Sequence, residues 1–251
     1  MVRKKGQITL FVIFGALILA LILAGVYYKS EISKLANENI LNRRVALPAQ
    51  TAKVQSHIQE CVDDMSLRLL YQLGSQGGLL RVSEDKGVSN EDLSIAYGYY
   101  SGKNVLPSLE DFKKEFSGFM NAFLPQCLYT GVFEKVSITP STPVTNLELF
   151  DTKVRVVVKY PVQAQEGESV YKLDEPYNVE YPLRIKFLHG LSEDIVKKTA
   201  SDPKSVDVSY LLGLDVKADV FPYDAKTFVY SLEDDKSVVQ NNTYRYNFAV
   251  R

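Results

Sequence analysis

Residues 8–28 read ITLFVIFGALILALILAGVYY, 21 residues without a charge and with Thr9 the one clearly polar side chain before the closing tyrosines. As a helix rising 1.5 Å per residue, the run spans roughly 30 Å, the hydrocarbon thickness of a bilayer. Arg3, Lys4 and Lys5 precede it, so the positive-inside rule keeps that end in the cytoplasm. Tyr27, Tyr28 and Lys29 suit the opposite interface, with rings at headgroup depth and an ammonium beyond. The sequence therefore predicts a single-pass anchor in the cell membrane, N-terminus cytoplasmic and C-terminal domain extracellular. A cleaved secretory signal is the alternative, with Ile22-Leu23-Ala24 as its processing site. Ala16, Ala20 and Ala24 recur every fourth residue and would give a strip on which another helix could pack in lipid.

Three of the 29 basic residues lie ahead of this run, which leaves the remainder mildly acidic against 30 Asp and Glu. Such a surface has no electrostatic footprint for nucleic acid. Two cysteines and two histidines, without Cys-x-x-Cys or His-x-x-x-His spacing, do not read as a metal site. No motif calls for a cofactor.

Lys4-Lys5-Gly6-Gln7, followed at once by the apolar helix, resembles an archaeal class III signal peptide of the type IV pilin-like kind. The resemblance implies cleavage by a prepilin-type peptidase between Gly6 and Gln7, with the helix retained. At the fifth mature position, where pilins commonly carry glutamate, this chain has Phe11. The opening stretch, LGSQGGLL at 73–80 and the terminal YRYNFAVR are also similar to single-span archaeal surface proteins. That second likeness brings no known activity with it; the expectation is a pilin-like envelope protein with a structural, adhesive or protein-interaction role, whose partners are the lipid bilayer, other envelope proteins or further copies of itself.

The pattern divides the chain into a leader (1–6), a transmembrane helix (7–28), a helical stalk and helical part of the ectodomain (29–131) and a β-rich part (132–251). The predicted fold class is α+β: an N-terminal transmembrane helix extended into a stalk, a helical layer, then a mainly antiparallel β-sheet head. Ile32, Leu35, Ala36 and Ile40 continue helical spacing to about residue 45, before Pro48. A second helix is expected over 49–73 from Val54, Ile58, Cys61, Val62, Met65, Leu69 and Leu73, with Gly74 as its left-handed cap. A third starts at Ser108 through a capping box with Asp111 and carries Phe112, Phe116, Phe119, Met120, Phe123 and Cys127 on one stripe. Short strands are expected at 79–82 and 94–100.

Cys61 and Cys127 fall on apolar stripes of two helices, and an oxidising exterior favours their union as a disulfide; two separate buried thiols are the alternative. Beyond residue 132 the period becomes two. Alternation predicts strands over 154–162, 179–187, 206–220 and 228–232, with a returning strand at 244–250. A short helix is expected at 192–200. Glu233-Asp234-Asp235-Lys236 reads as a solvated turn, and His189 as the end of a strand. Asn241-Asn242-Thr243 is a sequon, making Asn241 a possible glycosylation site. No catalytic constellation emerges. The alternative to an interaction role is a membrane-tethered receptor or enzyme with a pocket between helices and sheet.

Overall fold

The first helix, α1 (Ala49–Ser75), runs through the middle of the molecule, and both β layers pack against it. The computed structural model describes residues 47–89, 94–130, 133, 135–202 and 205–251. Among these no helix is long and apolar enough to cross a membrane. The predicted span, the leader cut at Gly6 and Gln7, and the alanine strip Ala16, Ala20 and Ala24 lie outside the described residues. Residues 49–251 form one compact α+β unit.

Helix α1 buries Val54, Ile58, Val62, Leu69, Leu70 and Leu73 at the predicted spacing. It ends two residues later than expected, because Gly74 is inside the helix. A β-carbon there would meet the Tyr244 hydroxyl at 2.4 Å and the Arg245 carbonyl at 2.5 Å, so Gly74 permits close approach to a strand. The left-handed cap falls to Gly77, at φ +77°. The Gly78 amide bonds the Leu73 carbonyl (2.7 Å) and the Gly77 amide bonds that of Gly74 (3.3 Å), which closes a Schellman motif. Helix α2 (Leu109–Phe123) opens on the predicted capping box: the Asp111 amide donates to Ser108 Oγ (3.1 Å) and the Ser108 amide to Asp111 Oδ2 (3.0 Å). Pro125 follows its end, and α3 (Gln126–Thr130) carries Cys127.

The predicted strand at 79–82 is irregular chain; pairing begins instead at β1 (Gly87–Ser89), followed by β2 (Ser94–Tyr100) and β3 (Lys103–Asn104). These belong to the sheet completed by β10 (Lys217–Pro222), β11 (Phe228–Val239) and β12 (Asn242–Val250), in the order β1-β2-β12-β11-β10 with β3 beside β2. Every pair is antiparallel except β12 with β2. Strands from the helical part thus complete the C-terminal sheet.

The second β layer is a three-stranded meander bent across its middle. Its two halves are β4-β7-β8 and β5-β6-β9, from β4 (Val136–Pro140), β5 (Val144–Leu149), β6 (Val154–Lys159), β7 (Val162–Glu166), β8 (Ser169–Leu173) and β9 (Tyr177–Tyr181). Each long strand bends beside proline: Pro140 and Pro143, Pro161, and Pro176. Proline has no amide to donate, so a ladder breaks where one falls. The predicted alternation at 154–162 holds, with Val154, Val156, Val158, Tyr160 and Val162 all buried, although it crosses from β6 to β7.

Two expected strands are corrected. After β9, Pro182 ends pairing, and residues 185–187 begin α4 (Ile185–Ser201) instead of continuing an extended run. Ile185, Leu188, His189, Ser192, Ile195, Val196 and Thr199 are its buried face, a helical spacing that overrides the short alternation 183-185-187. The expected strand 206–220 instead holds a short helix, α5 (Val208–Leu212), before β10. Asp207 caps it by accepting from the Tyr210 amide (3.0 Å), and Leu212, expected on a buried face, is 84% exposed.

Candidate functional site

Cys61 on α1 and Cys127 on α3 form a disulfide, with Cα atoms 6.3 Å apart. His57, one turn before Cys61, donates from Nε2 to the Cys127 carbonyl (2.9 Å) and meets Phe133 edge-on. The histidine therefore fastens the same two segments that the bridge joins. His189 is buried in α4, where Nε2–H donates to the Pro107 carbonyl (2.8 Å); the expectation of a strand end is corrected.

The expected solvated turn at 233–236 is also corrected. Strand β11 continues through it, and Asp234 is fully buried. Arg184, the residue before α4, donates from Nε to Asp234 Oδ2 (2.8 Å) and from Nη2 to Oδ1. Ser237 Oγ donates to Oδ2 of the same carboxylate and accepts from the Arg184 amide (2.8 Å). Burial opposes ionisation of Asp234, yet bonds from Arg184, Ser237 and the Lys236 amide outweigh it and hold its carboxyl below the ordinary range. Asp215 lies outside this clasp, and the Lys236 ammonium lowers its pKa in the same direction. The missed signal was period two: Tyr230, Leu232 and Asp234 share one face, so the carboxylate follows two buried residues inward.

The described residues hold no group of three His, Cys, Asp or Glu side chains placed to share a metal ion. A cleft of about 290 Å³ lies between α4, α5 and β11, lined by Lys198, Thr199, Tyr210 and Tyr230 among others. Lys198 is already engaged there, paired with Asp207 (3.1 Å) and placed over the Tyr210 ring.

Exposed large apolar side chains gather along the β10 margin of the six-stranded sheet. Phe221, Tyr223 and Phe228 lie at the β10–β11 end, and Val208 and Leu212 on the adjacent α5. Among the described residues no strand pairs with the outer side of β10. The Tyr223 amide donates to the Thr227 carbonyl (2.9 Å), in register with the Lys217–Glu233 to Pro222–Phe228 ladder. In an antiparallel ladder the amides alternate direction, so those of Lys217, Asp219 and Phe221 face β11. The amides and carbonyls of Ala218 and Val220 face outward, and Pro222, with no amide, occupies the next outward position. This margin is the candidate functional site: an open strand edge flanked by apolar groups, able to hydrogen-bond an added strand.

Asn241 is exposed at the tip of the two-residue turn between β11 and β12, with φ +64°. The sequon is therefore presented where a modifying enzyme could reach it. Comparison with protein-family models, with curated proteins and with solved structures finds no match for the chain.

Proposed function

We propose that this chain is a membrane-anchored protein of the archaeal cell envelope, pilin-like at its N-terminus, whose extracytoplasmic head works by protein contact. The Cys61–Cys127 disulfide carries the reading, because such bridges persist in oxidising surroundings outside the cell membrane. The apolar run at 8–28 behind three basic residues supports the anchor, and the open margin of β10 supports contact as the head's mode of action. A prepilin-type peptidase acting between Gly6 and Gln7 would leave the helix in the membrane. Mass spectrometry of the native N-terminus in the membrane fraction tests this. A chain starting at Gln7 supports pilin-type processing; a chain starting near residue 25 and free of membrane overturns the anchor.

The cleft between α4, α5 and β11 favours a second reading, a tethered receptor for a small polar ligand. Binding of a small polar ligand by the native chain, lost in Lys198→Ala, would support that reading; a native chain that binds none supports the first.

A further inference from the structure

We propose that the open margin of β10 pairs with the same margin of a second copy of this chain, antiparallel about a twofold axis through Ala218. The inference deepens the contact reading, and rests on it in taking the head to act by association. It follows from the five residues Val216-Lys217-Ala218-Asp219-Val220, which read the same in both directions except that the two charges are opposite. Placed antiparallel about Ala218, Lys217 of one copy faces Asp219 of the second, and Asp219 faces its Lys217. Val216 faces Val220 on the other side of the strand, and Ala218 faces its own counterpart.

The backbone permits the same register. Ala218 and Val220 turn their amides and carbonyls outward, so Ala218 can exchange two hydrogen bonds with its counterpart. Val216 lies in the bend just ahead of β10, so Val220 would exchange two more with it at each end once that bend extends as strand. Within one copy Lys217 Nζ and Asp219 Oδ2 already lie 3.1 Å apart. Two such pairs set head to tail give an alternating arrangement of four charges, the cross-strand pairing that stabilises neighbouring strands.

Neighbouring registers are worse. An axis at Asp219 sets carboxylate against carboxylate, and one at Lys217 sets ammonium against ammonium. An axis at Val220 or Phe221 sets Pro222, which has no amide, against Ala218 or Val220 and loses a hydrogen bond at each end. Pro222 therefore limits pairing to the self-complementary stretch. The second copy is favoured over an unrelated strand because the charge pattern matches itself.

The experiment is sedimentation of the full-length chain in detergent solution. The native chain is expected to dimerise. Lys217→Asp alone and Asp219→Lys alone each set like charges opposite one another, and each should weaken dimerisation tenfold or more. An equimolar mixture should recover it, since an acidic margin then meets a basic one. The doubly reversed chain should also dimerise, which controls for misfolding of either single variant. A monomeric native chain, a dimer indifferent to either reversal, or a mixture no tighter than the single variants would each overturn the proposal. Membrane retention and the N-terminal mass are read separately, so loss of the anchor reading leaves this result interpretable.

Discussion

Arg184 and Asp234, 50 residues apart in sequence, meet through two parallel hydrogen bonds that tie the start of α4 to the middle of β11. Asp234 is fully buried and the Arg184 side chain is 15% exposed. A bidentate pair of this kind fixes orientation as well as distance. The same guanidinium lies over the Phe187 ring, 4.3 Å from its centre, and reaches Asp215 at 3.4 Å.

Asp234→Ala leaves a largely buried guanidinium short of its partner, and should lower unfolding free energy by about 3 kcal/mol. Urea denaturation at neutral pH measures this. Replacing both residues together, with Arg184→Met and Asp234→Leu, should cost less than the single change, because no uncompensated charge remains.

The same carboxyl sets a pH dependence. Its folded-state pKa lies below the ordinary value near 3.9, so the clasp stabilises fully above about pH 4 and loses that contribution as pH falls through the folded value. Stability of the native chain should therefore fall on acidification below about pH 4. In Asp234→Asn the slope of that fall should be shallower. An unchanged slope would remove Asp234 from the account of acid sensitivity.

The Cys61–Cys127 bridge spans 66 residues of sequence. On chain-entropy grounds closing such a loop contributes about 4 kcal/mol. The double variant Cys61→Ala, Cys127→Ala should unfold at a correspondingly lower denaturant concentration, and reductant should shift the native chain but not the variant. A thiol label applied to the denatured, unreduced native chain should modify neither cysteine.

Gly77 and Gly102 share positive φ values, +77° and +81°, in different surroundings. A β-carbon at Gly77 would meet the Asn247 carbonyl at 2.8 Å, whereas nothing lies within 4 Å at Gly102. Gly102→Ala should cost about 1 kcal/mol, the backbone penalty alone. Gly77→Ala should cost at least about 2 kcal/mol, because backbone must also shift. Equal losses would mean that the close approach at Gly77 contributes nothing.

Asn241 is the second residue of the turn, in the left-handed conformation that asparagine and glycine tolerate best. Asn241→Gly removes the sequon and should change stability by no more than about 0.5 kcal/mol. The intact-mass difference between native and variant chains purified from the source cells should then exceed the substitution by the mass of a glycan.

Periodicity was sufficient for α1 and for the run from Val154 to Val162. The stripe of α1, the capping box at Ser108 and the alternation from Val154 to Val162 are local patterns, and local backbone geometry alone turns them into buried faces. The disulfide was one of two readings open to the sequence: Cys61 lies at the margin of the α1 stripe, and Cys127 falls on the separate α3 beyond Pro125. Where patterns were short, tertiary packing decided. Residues 183–187 fit either period, and Pro182 together with the long apolar face of α4 made them helical. Among the described residues no strand pairs with 206–216, and Asp207 caps a short helix there. The acidic string at 233–236 was read by composition, yet an arginine 50 residues earlier allows Asp234 to be buried. Sequence could place Lys217 and Asp219 on one face of a strand. That this strand lies at the margin of its sheet, with Ala218 and Val220 turned outward, follows only from which strands pair. Pairing is a contest among distant segments for backbone hydrogen bonds, and local sequence does not record its outcome.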